Sequence, residues 1–299
     1  MTDAAFGGKV ARFYESMDRG DDSVRCELCP NRCVIGDGRA GLCRVRKNRG
    51  GTLYADSWGI VASLALDPIE KKPLVGFHPG SFILSVGGYG CNLSCKFCQN
   101  HQISQVDPPE KFGEDQLYSP ERLRDEAVSL VSSGNIGLAF TYNEPFISWE
   151  YVRDCAVLIR DAGLKNVLVT NGYVNPEPLE EILPLIDAMN IDLKSFSGSF
   201  YRTVCGGTLE PVLATIAASI PRCHVEITTL VIPGLNSTPA EIGSLAAWLA
   251  SIDPSVILHL NRHHPDYRMM SPEPIPRDEL FALADVARRY LQNVHCGNV

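Results

Sequence analysis

No stretch of this 299-residue chain approaches the roughly eighteen consecutive apolar residues of a membrane-spanning helix, so no span is expected. The opening Met-Thr-Asp-Ala-Ala-Phe-Gly-Gly-Lys lacks the basic start and apolar core of a secretion signal, which makes a cytoplasmic protein the expectation. Positive charge is scarce too. The 27 Lys and Arg stand against 35 Asp and Glu, a formal balance of -8, which argues against a general binder of nucleic-acid phosphates. The one basic strip, Arg44, Arg46, Lys47 and Arg49, carries no interleaved aromatic residue and reads as a solvated loop. Repeats, heptads and low-complexity tracts are missing, leaving a chain long enough to bury a substantial core in one main domain.

Cysteine, by contrast, is plentiful. There are 11, an odd number in clustered spacing, which in a reducing compartment points to metal ligation rather than a disulfide framework. Cys91, Cys95 and Cys98 stand in Gly-Gly-Tyr-Gly-Cys-Asn-Leu-Ser-Cys-Lys-Phe-Cys-Gln-Asn, just after the strand-like run Phe82 to Val86. Three thiolates hold a four-iron cluster while leaving one iron without a protein ligand, and an open coordination position distinguishes a catalytic metal centre from a structural one. A structural zinc site with a borrowed fourth ligand is the alternative. A second set, Cys26, Cys29, Cys33 and Cys43, offers four soft thiolates among turn-forming Gly36, Gly38 and Gly41. Such a set suits a zinc ion or a second iron-sulfur cluster, with an unmetallated loop as the third reading. Cys155 and Cys223 lie in apolar segments and read as core residues.

From residue 82 onward, six apolar runs alternate with helical patterns: Phe82 to Val86, Gly137 to Thr141, Asn166 to Thr170, Ala188 to Leu193, His224 to Val231 and Val256 to Leu260. Between them run stripes at helical spacing, such as Leu123, Ala127, Leu130 and Val131, or Trp149, Val152, Ala156 and Ile159. Ser119-Pro120 and Asn175-Pro176 mark helix starts, and Thr238 to Glu241 reads as a capping box. Strand-helix repeats without hairpin signals imply a parallel sheet. An α/β fold, an incomplete (β/α)6 TIM-like barrel, is expected over 76–299, with an open doubly wound sheet as the alternative. Residues 1–75 read as a small cysteine-rich N-terminal extension.

Polar residues recur where the strand candidates end, and in a barrel of strand-helix units those ends share one face. They are Thr141 to Pro145, Thr170-Asn171-Gly172, Asp192 and Lys194, Ile232-Pro233-Gly234, and the group His259, Asn261, Arg262, His263 and His264.

The spacing Cys-x3-Cys-x2-Cys, with glycines before it and Phe97 before its last cysteine, resembles that of the radical S-adenosylmethionine (radical SAM) superfamily. The resemblance covers residues 26 to 299 and is to the pyruvate formate-lyase activating enzyme branch, most of all to the radical SAM member of the AmmeMemoRadiSam system. It is carried by Cys-Glu-Leu-Cys-Pro-Asn-Arg-Cys, Asp-Pro-Ile-Glu-Lys-Lys-Pro-Leu, Phe-His-Pro-Gly-Ser, Thr-Tyr-Asn-Glu-Pro, Asn-Ile-Asp-Leu-Lys and His-Pro-Asp-Tyr-Arg-Met.

What the resemblance implies is an oxygen-sensitive oxidoreductase with a [4Fe-4S] cluster on Cys91, Cys95 and Cys98, which cleaves SAM reductively to a 5'-deoxyadenosyl radical that abstracts hydrogen from a substrate. Glu144 then accepts from the SAM amine, beside Asn143, which replaces a glycine of the family pattern. Asp192 and Lys194 hold the carboxylate end next to Thr170 and Asn171, and Phe97, His259 and Arg262 complete the cofactor contacts. His101, Asn261 and His263 are expected at the substrate, with bracing of the barrel mouth as the alternative. The implied partners are a reductase or a flavodoxin- or ferredoxin-like electron donor, an unidentified substrate that includes the protein class, and the AmmeMemoRadiSam proteins. Two other readings stand beside this one: a glycyl-radical enzyme activase, and a non-catalytic metal-binding regulatory protein.

Overall fold

Near-continuous apolar runs need cover on both faces, and helices between parallel strands provide it. The computed structural model describes residues 8–17, 20–107, 113 and 116–299; most of the N-terminal segment examined for a signal lies outside them. Six short strands come first: β1 (Lys9–Val10), β2 (Tyr14–Ser16), β3 (Val24–Cys26), β4 (Val34–Ile35), β5 (Arg46–Arg49) and β6 (Thr52–Ala55). They form two three-stranded antiparallel sheets, ordered β1-β6-β5 and β2-β3-β4.

Eight further strands make the main sheet: β7 (Ser63–Pro68), β8 (Phe82–Gly87), β9 (Asn135–Phe140), β10 (Lys165–Thr170), β11 (Ala188–Asp192), β12 (His224–Val231), β13 (Ile257–Arg262) and β14 (Asn293–Gly297). Their spatial order runs from β14 to β7 without a reversal, parallel throughout except for the antiparallel β7–β8 pair. A doubly wound sheet reverses its order at a switch point; this one does not, and its two edge strands do not pair, so the barrel is not closed. The six apolar runs are the six central strands. β7, whose residues fall in the segment read as an extension, and β14, a short edge strand with polar Asn293 and His295 exposed, carry too little apolar pattern to announce themselves.

The helix starts hold in part. Ser119 accepts the Arg122 N–H at 3.2 Å, and Pro120 opens the helix Pro120–Ser129. Asn175 sits at the cap of Pro176–Ile182, but its amide donates to the Glu27 carbonyl at 2.6 Å instead of capping. Thr238 caps Pro239–Ile252 by accepting the Glu241 N–H at 3.2 Å. Glu241 does not complete the box: it accepts from the Ser195 hydroxyl and from the Phe196 N–H, tying the end of β11 to this helix. The stripe through Leu123 and Ala127 stops there, because the helix ends at Ser129 and Val131 is exposed. Among the described residues no helix is long and apolar enough to cross a membrane.

Candidate active site

The first parallel strand, β8, delivers the chain into a glycine-rich turn and then the three-cysteine loop. The loop is fastened along its length. Gly90 N–H donates to the Ile103 carbonyl at 2.9 Å, Ser94 N–H to Cys205 at 2.8 Å and Lys96 N–H to Val204 at 3.1 Å. Asn143 clasps its beginning: its side-chain oxygen accepts the Gly88 N–H at 3.0 Å while its amide donates to the carbonyls of Tyr89 and Gly90, each at 3.2 Å. Asn143 therefore shapes the loop with its whole amide group.

Cys91, Cys95 and Cys98 line one cavity of about 340 Å³, within the range of small-molecule sites, together with Phe97, Asn143, Glu144, Thr170, Asn171, Asp192, Lys194 and Asn261. Hydrogen-bond donors approach the sulfurs. The Asn171 amide lies 3.5 Å from Cys91 Sγ, the Leu93 N–H 3.4 Å from the same sulfur, and the Ser104 hydroxyl 3.1 Å from Cys98 Sγ. Cys205 hydrogen-bonds Cys95 and holds it below the ordinary thiol value, with burial opposing and Lys194 assisting. Burial, and next the Glu144 carboxylate, push Cys91 well above that value; burial also raises Cys98 against the pull of Ser104. A bound metal replaces these protons. Three thiols from one loop, no fourth cysteine on the cavity wall, and donors aimed at the sulfurs fit a cluster with one iron free of protein thiolate.

Glu144 is buried and follows β9. Its carboxylate accepts the Thr170 hydroxyl at 2.7 Å, the Phe146 N–H at 3.0 Å and the Asn171 N–H at 2.8 Å. Burial pushes its pKa up to about 7 against those three donors. Across the cavity Lys194 Nζ meets Asp192 Oδ2 at 2.9 Å and lies 5.7 Å from the centre of the Phe97 ring. Burial opposes the lysine charge, but Asp192 and the thiols of Cys95 and Cys205 hold its pKa well above the usual range. A fixed acid on one wall and an acid-base pair on the other can take the amine and carboxylate of a zwitterion.

Four predicted contacts do not reach this cavity. His259 lies two residues below Asn261 on the same face of β13, roughly 7 Å deeper, and bonds Glu226 at 2.6 Å. Arg262 falls on the opposite face by strand alternation; its Nε donates to the Ile275 carbonyl at 2.8 Å. Arg262 and His263 instead line a neighbouring cavity of about 380 Å³ with His264, and the two cavities share Gln99 and Asn298. His263 is buried there with neither ring nitrogen hydrogen-bonded, and burial, then His264, lowers its pKa. His101 meets the Cys98 carbonyl at 3.1 Å and stacks on Tyr267 with centroids 4.5 Å apart, which supports the loop from outside.

Other residues were not singled out from sequence. Asn92 accepts from Asn171 at 2.9 Å and donates to the Tyr173 carbonyl at 2.7 Å, locking the cluster loop to the turn after β10. Lys72 lines the cavity, lies 4.6 Å over the Tyr142 ring, and bonds Asp67 at 2.8 Å, while the Tyr142 hydroxyl donates to the same carboxylate at 2.6 Å. The Asp-Pro-Ile-Glu-Lys-Lys-Pro run was the available signal for that group. Arg46, read as part of a solvated strip, is buried in a two-pronged pair with Glu150 at 3.0 and 3.1 Å. Cys26, Cys29, Cys33 and Cys43 line a separate small cavity with Arg46 and Asn92. Burial pushes Cys29 up to about 12 and Cys43 up to about 11.

A family model described as the radical SAM superfamily matches residues 85–248. Among curated proteins, an uncharacterised protein of Methanocaldococcus jannaschii is 40% identical over 97% of this chain and 85% of its own length. A putative glycyl-radical enzyme activating enzyme of the same organism is 26% identical over 70% of this chain and 78% of its own. Among solved structures, a radical SAM methyltransferase from Sphaerobacter thermophilus aligns with a TM-score of 0.56 over 97% of this chain and 76% of that one, at 13% identity, a likeness of fold.

Proposed function

The chain belongs to the radical SAM superfamily, enzymes that use a [4Fe-4S] cluster and SAM, and we propose that Cys91, Cys95 and Cys98 ligate that cluster while Glu144 and the Asp192–Lys194 pair hold the two ends of the SAM methionine. The carrying observation is that these six side chains line one cavity. With a reduced cluster and SAM bound, this site would supply radical chemistry that removes a hydrogen atom from a substrate. The chain's own residues do the positioning. Thr170, Phe146 and Asn171 spend three donors on Glu144, which fixes the direction in which its carboxylate accepts. Lys194 stays protonated beside Asp192, ready for a carboxylate. Phe97, buried against Phe200, is an apolar wall beside the cysteines.

The substrate would enter past Asn261 and the cavity that His263 lines, and we read it as a small molecule, peptide or macromolecule outside the glycyl-radical enzymes, following the resemblance to the AmmeMemoRadiSam member. Activation of a glycyl-radical enzyme is the second reading, favoured by the activating-enzyme name of the 26% identical relative. We also read the unreversed strand order as an incomplete (β/α)6 barrel with an edge strand added at each side, residues 1–75 as its extension, and the electron donor as a flavodoxin- or ferredoxin-type protein. Eleven cysteines with no disulfide among them suit a reducing, cytoplasmic setting.

The test is anaerobic reconstitution with iron and sulfide, then dithionite and SAM, with 5'-deoxyadenosine measured by chromatography. Product well above a Cys98→Ala control is expected, and Glu144→Gln should weaken SAM binding about tenfold, the equivalent of about 1.4 kcal/mol. No product above the control would refute the catalytic reading. Deuterium transfer into 5'-deoxyadenosine identifies the hydrogen donor, and a glycyl-radical electron paramagnetic resonance signal on a partner protein marks the second reading and its absence the first.

A further inference from the structure

We propose that the cavity lined by Arg262, His263 and His264 is the substrate subsite, and that it takes a small anionic molecule whose carboxylate or phosphate seats on Arg262. The proposal rests on the reading of the larger cavity as the SAM site and names the substrate class that goes with it. At about 380 Å³ the space is within the range of small-molecule sites. Gln99, the residue after Cys98, and Asn298 border both cavities, so a molecule held at Arg262 extends toward the cluster loop.

Charge gives the chemical class. The formal balance of the chain is -8, yet the ionisable side chains on this wall are one arginine and two histidines, with no acid beside them. Arg262 is anchored at one edge: its Nε donates to the Ile275 carbonyl at 2.8 Å, and its own carbonyl accepts from the Asn298 amide at 3.2 Å. Among the described residues no carboxylate pairs with its two terminal nitrogens. An arginine held in this way presents a planar fork to two oxygens of a carboxylate or phosphate.

His263 is an independent sign of a ligand. It is buried, its backbone N–H is fastened to the Val231 carbonyl at 3.2 Å, and neither ring nitrogen has a hydrogen-bond partner. Burying two polar atoms without partners costs stability, and an apolar ring of similar shape would avoid that cost. A donor and an acceptor are thus kept unspent beside the arginine. Both are shielded from water, so one of them reaches the ligand by a turn of the ring. With the anionic end on Arg262, the far end of the molecule lies by Gln99 and Asn298, on the side of Cys98, and is the end that would lose the hydrogen atom.

The experiment titrates inorganic phosphate and, separately, succinate into the anaerobically reconstituted full chain by calorimetry, with neutral succinamide as control. Binding of an anion and none of succinamide is expected, and the tighter anion names the group that the substrate carries. Arg262→Gln should weaken binding about tenfold. His263→Phe should weaken it too while raising the midpoint of thermal unfolding by roughly 2–4 °C, because two unpartnered nitrogens are gone. No binding of either anion at about 50 mM, far above a millimolar dissociation constant, would overturn the proposal. So would a loss that follows Lys194→Gln and not Arg262→Gln, which puts the anion in the other cavity, or a His263→Phe variant with a lower midpoint and unchanged binding. Should Arg262→Gln lose native circular dichroism, His264→Gln, at an exposed side chain, decides: weaker binding supports the subsite and undiminished binding overturns it. These titrations involve neither SAM nor its cleavage, so their failure and a failure to form 5'-deoxyadenosine are read separately.

Discussion

Gly90 packs so close to Cys43 that a Cβ placed on it would lie 2.3 Å from the Cys43 carbonyl oxygen, and its φ of +86° is one that L residues rarely adopt. The contact joins the two cysteine loops backbone to backbone. Gly90→Ala should therefore lower stability by roughly 1–3 kcal/mol and reduce the iron that the reconstituted protein holds. Thermal unfolding and iron analysis check it; an unchanged melting temperature with full iron would show that the loops move independently.

Cys205, outside the three-cysteine loop, acts on Cys95 and holds it below the ordinary thiol value. Hydrogen bonds to cluster sulfurs help set reduction potential, and removing one leaves more negative charge on the thiolate. Cys205→Ala should keep its iron content while the potential of the SAM-responsive cluster moves to a more negative value, and Cys205→Ser should restore most of the shift. A redox titration followed by electron paramagnetic resonance reads both.

The Arg46–Glu150 pair is almost wholly enclosed, at 1% and 2% side-chain exposure. Truncating one partner leaves a buried charge alone, so Glu150→Ala should cost about 3–5 kcal/mol in denaturant unfolding. The double change Arg46→Met with Glu150→Leu should cost less than the sum of the single changes.

Glu226 contributes to acid stability. Burial would raise its pKa, but His224 at 2.8 Å, His259 at 2.6 Å, and the N–H groups of Gly76 at 2.8 Å and Val75 at 3.1 Å more than offset that, holding it at about 2 instead of 4.5. The unfolded chain then binds the proton more tightly, so the contribution is complete above pH of about 4.5 and is lost as pH falls towards about 2. It amounts to at most about 3 kcal/mol. Glu226→Gln should flatten the stability profile across that window in urea titrations at stepped pH.

Much of the site was readable because its residues sit at strand ends in short motifs. Cys91, Cys95, Cys98, Glu144, Thr170, Asn171, Asp192 and Lys194 were all named from sequence, and all border the one cavity. His259 and Arg262 were named by the same rule and do not, because neighbours on β13 alternate faces and residues two apart differ in depth. A motif near a strand end cannot specify which of its side chains reaches the mouth. Arg46 looked solvated since its charged neighbours are; its partner Glu150 lies 104 positions away.

By itself the sequence determined the strand-helix alternation, the six central strands and the identity of the thiols, because periodicity and ligand spacing are properties of residues close along the chain; their unreversed order in the sheet was settled by the structure. The tertiary structure decided what the chain ends and distant loops do: β7 and β14 at the sheet edges, Cys205 on Cys95, Asn31 on Asn92, and the spacing of the four thiols around Arg46. Those contacts join residues separated by tens of positions, and their geometry exists only once the sheet has closed the intervening loops.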